Sequence, residues 1–245
     1  MKVLAIGNSF SQDATRYLHQ IAKADRYQLK VANLMIGGCS LSSHYKNMNN
    51  DARDYLFEFN GENTGLKVSI REALQSDEWD FVTMQQVSDL SSNYETFQPY
   101  LNALSDYVKK HAPKAEQLLQ QTWAYEEGSA RLCARLGYIR QEDMYQDVKA
   151  AYIKASKEIN ARIIPAGEAF QNLLRAGVQA IHRDTYHAGL GLGRYALALT
   201  WYEFLTGNLI KDNPFSEFDQ PIPEHEIKIA KECAHKAVET QLEWE

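Results

Sequence analysis

Three groups of side chains in this sequence carry the chemistry of acyl transfer. Ser9 lies in Gly7-Asn8-Ser9-Phe10-Ser11, just after the apolar run Val3–Ile6; Asp184 and His187 lie three residues apart in Arg183-Asp184-Thr185-Tyr186-His187; and Gln85-Gln86-Val87-Ser88-Asp89 offers two carboxamide donors. Acyl transfer needs a nucleophile, a base, a group that orients the base, and donors for the oxyanion. At a spacing of three, the Asp184 carboxylate can reach one imidazole nitrogen of His187 while the other faces a substrate. The Asp then fixes the tautomer and stabilises the imidazolium formed when the base takes a proton from Ser9. Each residue also has an ordinary structural reading. Ser9 or Ser11 can be the N-cap of the helix that follows, and Asp184 can cap a helix that carries His187 on its first turn.

These residues need elements to bring them together, and hydrophobic periodicity supplies the elements. Short apolar runs predict strands near Val3–Ile6, Leu29–Met35, Phe81–Met84, Leu118–Thr122 and Arg162–Ile164. Helical spacing separates them near Asp13–Ala24, Val68–Leu74, Phe97–His111, Glu142–Asn160 and Ala166–Arg175, and returns at Leu190–Thr206 and Glu224–Leu242. Strands alternating with helices predict an α/β protein: one sandwich over residues 1–245, with a parallel sheet of about five strands covered on both faces. Ligands bind such sheets in the crevice at the carboxyl ends of the strands. The residues just past those ends are Asn8 and Ser9, then Gly37-Gly38-Cys39-Ser40, then Gln85 to Asp89, then Trp123-Ala124-Tyr125. The stretch from Cys39 to Lys67 is too long for an ordinary connection, and is expected to be a functional loop or to hide a helix.

Composition narrows the function further. The chain has 245 residues, with 26 Lys+Arg against 32 Asp+Glu and a net charge of −6, and no dense basic run interleaved with aromatics, so a nucleic-acid partner is not expected. It has no run of eighteen apolar residues and no basic-then-apolar leader, so no membrane partner is expected and the reading is a cytoplasmic protein, or a secreted one whose leader has been removed. Cys39, Cys133 and Cys233 are far apart and odd in number, which suits reduced thiols. Gly189, Gly191 and Gly193 lack the spacing and the preceding strand of a dinucleotide loop. Cys39 is read as a small buried side chain rather than a thiol nucleophile. His182 and His187 have no evident third metal ligand. Trp201, Tyr202 and Phe204 are read as core, while Trp123 and Tyr125 fit either core or a platform for sugar stacking.

Taken in order, GNSFS, GGCSL, QQVSD and D-x-x-H resemble the four blocks of the SGNH (GDSL-like) hydrolase superfamily, over roughly the first 190 to 210 residues. The chain is most similar to a bacterial branch with GNSFS in place of GDS, itself similar to sialate and xylan O-acetylesterases. The resemblance implies a flavodoxin-like three-layer sandwich with Ser9 as nucleophile, His187 as base and Asp184 as its partner, and needs no metal or cofactor. Two departures stand out: Asn8 replaces the usual Asp, and Gln85-Gln86 replaces the Asn of the third block. By match to the sialate-esterase pattern Gln85 is the oxyanion donor, with Gln86 second, since strand neighbours point to opposite faces. The backbone N–H groups of Ser9 and Gly38 complete the hole, Gly37 replacing Gly38 if the turn is shifted by one. From their places after the strands, Asn8, Trp123 and Tyr125 are the candidate substrate contacts, and the loops Ser42–Asn47 and Ser91–Tyr94 are expected to flank the crevice. The expected activity is removal of acetyl groups from a small-molecule or oligosaccharide ester. A non-catalytic carbohydrate-binding module and an O-acetyltransferase are the alternatives, and the sequence leaves the oligomeric state open.

Overall fold

A computed structural model describes residues 1–178 and 180–242. Strand β1 (Lys2–Gly7) is buried on both faces from Val3 to Gly7, as the centre of a parallel sheet requires. The other strands are β2 (Lys30–Met35), β3 (Tyr55–Phe59), β4 (Glu62–Val68), β5 (Phe81–Met84), β6 (Glu116–Gln120) and β7 (Arg162–Ile164). Together they form one seven-stranded sheet in the order β4-β3-β2-β1-β5-β6-β7. The five strands β2, β1, β5, β6 and β7 are parallel, with Val3 opposite Val31 on one side and Phe81 on the other. Counted along the parallel part alone, their order is the 2-1-3-4-5 of the flavodoxin-like sandwich.

The helices are α1 (Ser9–Thr15), α2 (Leu18–Ala24), α3 (Leu41–Asn49), α4 (Ile70–Gln75), α5 (Tyr100–His111), α6 (Gln141–Ile159), α7 (Ala166–Arg175), α8 (Leu192–Thr206) and α9 (Glu224–Leu242). One layer packs α1, α2, α7, α8 and α9 together, and the other packs α3, α4, α5 and α6. Helix α8 is apolar nearly all round, with Tyr195, Leu197, Leu199 and Trp201 fully buried, because it lies against α1 and α2 as well as α9. None of the described helices is long and apolar enough to cross a membrane.

Two expectations change. The single helix expected over Asp13–Ala24 is two helices, beginning at Ser9 and interrupted at Arg16 and Tyr17. The segment from Cys39 to Lys67 holds a helix, α3, and an antiparallel hairpin, β3–β4, which raises the strand count from five to seven. The hairpin turns at Asn60-Gly61, both with positive φ (52° and 84°), as a tight two-residue hairpin turn demands. Gly61 is doubly required, since a Cβ there would sit 2.2 Å from the Arg16 carbonyl oxygen. The outer strand β4 is almost wholly exposed and polar, which suits a sheet edge.

Two histidines tie stability to pH. His44, on α3, shares a hydrogen bond with the Tyr55 hydroxyl (2.8 Å) and is fully buried; burial lowers its pKa to about 3. His182 meets the Ala124 carbonyl at 3.0 Å, and burial lowers its pKa to about 4. Both are neutral in the folded chain, while unfolded histidine takes up its proton near pH 6.5. Their contribution is therefore complete above about pH 6.5 and is lost as pH falls toward 4, at up to about 1.4 kcal/mol per pH unit for each residue. Thermal unfolding followed from pH 7 to 4.5 is expected to show a steep fall in Tm below about 6.5, shallower in a His44→Gln variant. A flat Tm over that interval would contradict the burial of these rings.

Candidate active site

The chain leaves β1 for β2 on one side, while β5 enters on the other, so the loops after these three strands diverge and open a crevice. A cleft of about 640 Å³ occupies that place, lined among others by Ser9, Gly38, Ser40, Asp89, Tyr186 and His187. Of the long segment after Cys39, only Ser40, the N-cap of α3, reaches it.

The turn from β1 into α1 shows why Ser9 is available. Asn8, extended at φ −150°, is the N-cap: its Oδ1 accepts the Phe10 N–H at 2.9 Å, and Ser11 returns the bond to the Asn8 N–H at 3.1 Å. Ser11 is further held by the Asn33 carboxamide (2.7 Å). Gly7 must lack a side chain, because a Cβ would sit 2.3 Å from the Ser11 Oγ. With the cap supplied by Asn8 and completed by Ser11, the Ser9 hydroxyl is left to face His187 Nε2 at 2.8 Å.

His187 stands on a loop whose ends are joined by a bridge between His182 and Ala188. Its Nδ1 meets Asp184 Oδ2 at 2.8 Å, and its backbone N–H donates to Asp184 Oδ1 at 2.9 Å. Asp184 therefore caps no helix; α8 begins at Leu192. Burial would raise the Asp184 carboxyl, but the hydrogen bonds from the His187 ring and backbone outweigh it and hold the group below the usual carboxylate range. Thr185 takes φ +74°, a costly conformation for a β-branched residue. The surroundings fix it there: Glu126 N–H donates to the Thr185 carbonyl (2.8 Å) and the Trp123 indole N–H to the Tyr186 carbonyl (2.8 Å).

A buried carboxylate joins this loop to the helix of Ser9. Asp13, fully buried on α1, takes Arg183 Nη1 on both oxygens (2.9 Å each), Arg194 Nε at 2.9 Å and the Ala188 backbone N–H at 3.2 Å. Arg183 precedes Asp184 and Ala188 follows His187, so one side chain sets both flanks of the Asp184–His187 pair against Ser9.

Two backbone N–H groups on the cleft wall are candidate donors for an oxyanion. Among the described residues the backbone N–H groups of Ser9 and Gly38 have no protein acceptor, and both residues line the cleft. Gly38 has φ +65° and Gly37 lies next to it on the same wall. The expected side-chain donors are elsewhere. Gln85 is 2% exposed and gives its amide to Asn8 Oδ1 (2.8 Å), while Gln86 is fully buried, accepting from Leu41 N–H and donating to Thr96. Asn8 lines the cleft and donates to the Cys39 carbonyl at 3.0 Å. Gln85 thus acts on the site through Asn8. Loss of a direct oxyanion donor costs about 10² to 10³ in kcat; Gln85→Ala is expected to cost only about tenfold, because the backbone donors remain. Steady-state kinetics on an aryl acetate would contradict this placement if the loss reached the larger range.

Trp123 and Tyr125 are fully buried rather than open to a ligand. Trp123 stacks between Phe10 (4.0 Å) and Phe170 (4.8 Å), behind Ser9. The Tyr125 hydroxyl bonds Ser88 (2.8 Å) and Asp89 (2.5 Å). The stretches 42–47 and 91–94 do not line the cleft; Tyr186, Arg131 and Arg135 do. Cys39 is buried beside His44, and burial pushes its thiol up to about 12, which leaves no thiolate for attack. Among the described residues no group of three His, Cys, Asp or Glu side chains is arranged to hold a metal.

The architecture recurs in known structures. No curated protein matches the chain. A crystal structure of a DUF4886 family protein from Bacteroides uniformis is 35% identical with a TM-score of 0.90, over 97% of this chain and 94% of that one. A putative SGNH hydrolase from Slackia heliotrinireducens is 26% identical with a TM-score of 0.61, over 83% and 97%. A putative GDSL-like lipase from Parabacteroides merdae, 16% identical over 82% and 94% with a TM-score of 0.55, shares the fold. Residues 2–237 match the model of a domain of unknown function, DUF4886, and with that match the chain belongs to the DUF4886 family, on the sandwich that the SGNH hydrolases share.

Proposed function

We propose that this protein is a serine esterase that removes short acyl groups, chiefly acetyl, from an O-acylated carbohydrate. The observation that carries the reading is the unbroken line Ser9 Oγ, His187 Nε2, His187 Nδ1, Asp184 Oδ2, with 2.8 Å at each step from one side chain to the next. Ser9 Oγ attacks the ester carbonyl as His187 Nε2 takes its proton, and Asp184 stabilises the imidazolium. The oxyanion forms against the N–H groups of Ser9 and Gly38. Collapse expels the alcohol, which receives the proton from His187 and leaves an acyl group on Ser9. Water, deprotonated by the same imidazole, then releases the acid and restores the serine. Similarity to the putative SGNH hydrolase from Slackia heliotrinireducens supports a hydrolase.

The preference for acetyl rests on the cleft walls. Among the described lining residues, Phe10, Val87 and Leu90 alternate with the polar Ser40, Ser88 and Asp89 rather than forming a continuous apolar strip. Each methylene contributes about 0.8 kcal/mol only where it is buried. The expected result is that kcat/KM falls from aryl acetate through butyrate to octanoate, and that acetate is released from O-acetylated sialic acid or xylan oligomers. An optimum at octanoate, with no acetate from any sugar, would leave the esterase chemistry and discard the carbohydrate.

A further inference from the structure

Two cationic side chains in the Ser9 cleft have no part in the steps above. Arg131 and Arg135 stand at the two ends of a single π-helical turn, Arg131–Arg135, and both line the cleft. One carboxylate lies between them: Arg131 Nη1 is 3.3 Å from Asp89 Oδ1, and Arg135 pairs with Asp89 Oδ2. Asp89 Oδ1 also takes the Tyr125 hydroxyl at 2.5 Å. The Arg131 guanidinium lies 3.7 Å above the ring of Tyr186, the neighbour of His187. Among the described residues lining the cleft, the fixed charges are therefore two guanidiniums and one carboxylate, an excess of positive charge in a chain whose net charge is −6.

Each guanidinium has five N–H donors, and a contact or two with Asp89 leaves most of them free. Arginine is the residue suited to planar, two-point recognition of a carboxylate, and it stays charged at every working pH. Asp89 and the Tyr186 ring hold the pair in position, which lowers the cost of ordering them around a ligand.

Building on the esterase reading, we propose that the alcohol portion of the substrate carries a carboxylate, and that Arg131 and Arg135 bind it while Ser9 attacks the ester. The substrate class is then an acylated acidic alcohol, such as an O-acetylated sugar acid, rather than a neutral sugar. On this proposal the charge that the arginines read belongs to the leaving alcohol, since an acetyl group carries none.

The test compares 4-acetoxybenzoate with 4-acetoxybenzamide, each kcat/KM divided by that ester's own hydroxide-catalysed rate. The expected corrected ratio is about tenfold in favour of the carboxylate at low salt, falling as added NaCl screens the charges. It is expected to approach one in an Arg131→Gln/Arg135→Gln double variant, and to fall part of the way in Arg135→Gln, whose side chain is 61% exposed and whose replacement leaves the Arg131–Asp89 pair in place. A ratio near one in the wild type, or one unaltered by the substitutions, would overturn the proposal and leave the arginines as tethers for the turn. Calorimetric binding of 4-hydroxybenzoate against 4-hydroxybenzamide separates the two claims. If neither ester is turned over, the esterase reading fails, and equal binding of the two phenols then refutes the anion site as well, whereas tighter binding of 4-hydroxybenzoate upholds it.

Discussion

Ser9→Ala is expected to lower kcat for an aryl acetate by about 10⁴ to 10⁶, the loss seen when a triad member is removed, with little change in KM. The fold should survive the change. Among the described residues the Ser9 hydroxyl has one side-chain partner, His187, and α1 takes its cap from Asn8 and Ser11, so no cap is lost. Alanine also favours a helix more than serine does. The measurement is steady-state turnover on the purified variant beside its thermal unfolding curve. Most of the wild-type rate in a folded Ser9→Ala protein would show that the nucleophile is another group.

The second large effect is expected at Asp13. Asp13→Asn removes the negative charge from between Arg183 and Arg194, whose side chains are only 25% and 13% exposed, and leaves two guanidiniums facing each other without it. Breaking a buried charge pair from one side costs about 3 to 5 kcal/mol, and the partial exposure of the arginines favours about 3. For a chain of this size that is a fall in Tm of about 6 to 12 °C. Activity should fall too, by about 10² in kcat at a temperature where the variant is folded, because the loop flanked by Arg183 and Ala188 no longer presents His187 squarely to Ser9. A lower Tm with unchanged kcat would make Asp13 a structural residue alone. No change in either would contradict its anchoring of the loop.

How much of this could be read from the sequence varies with the distance over which each feature is determined. The five parallel strands are legible because each holds a short buried apolar stretch, and α7 and α9 begin and end where their spacing predicts. The β3–β4 hairpin was missed because β4, Glu62–Val68, is an exposed edge without alternation, although Asn60-Gly61 is a strong local hairpin signal. Helix α1 was placed too late because its first turn, Ser9-Phe10-Ser11-Gln12, has almost no apolar period. The residues Ser9, Asp184 and His187 could be listed from block order, but only the fold shows the distances between them. The motif match points Gln85 toward the cleft, but its buried side chain donates to Asn8, which itself lines the cleft. Trp123 and Tyr125 follow a strand end, yet the chain passes there beneath the 182–188 loop rather than over it. Asp13 gave no local sign at all: its partners are 170 residues or more away. Arg131 and Arg135 were equally silent, since a charge on a turn is ordinarily solvated.

The most direct test of the account is to treat the protein with a fluorophosphonate and locate the adduct by mass spectrometry. A phosphonate captures a serine whose hydroxyl is activated by a neighbouring base and whose oxyanion site accepts the phosphoryl oxygen, so it reports the Ser9–His187 contact and the backbone donors together. One adduct per chain on Ser9, absent in Ser9→Ala and slowed in His187→Ala, is the result the account predicts. Labelling of a different residue, or full esterase activity in a protein that takes up no phosphonate, would contradict it.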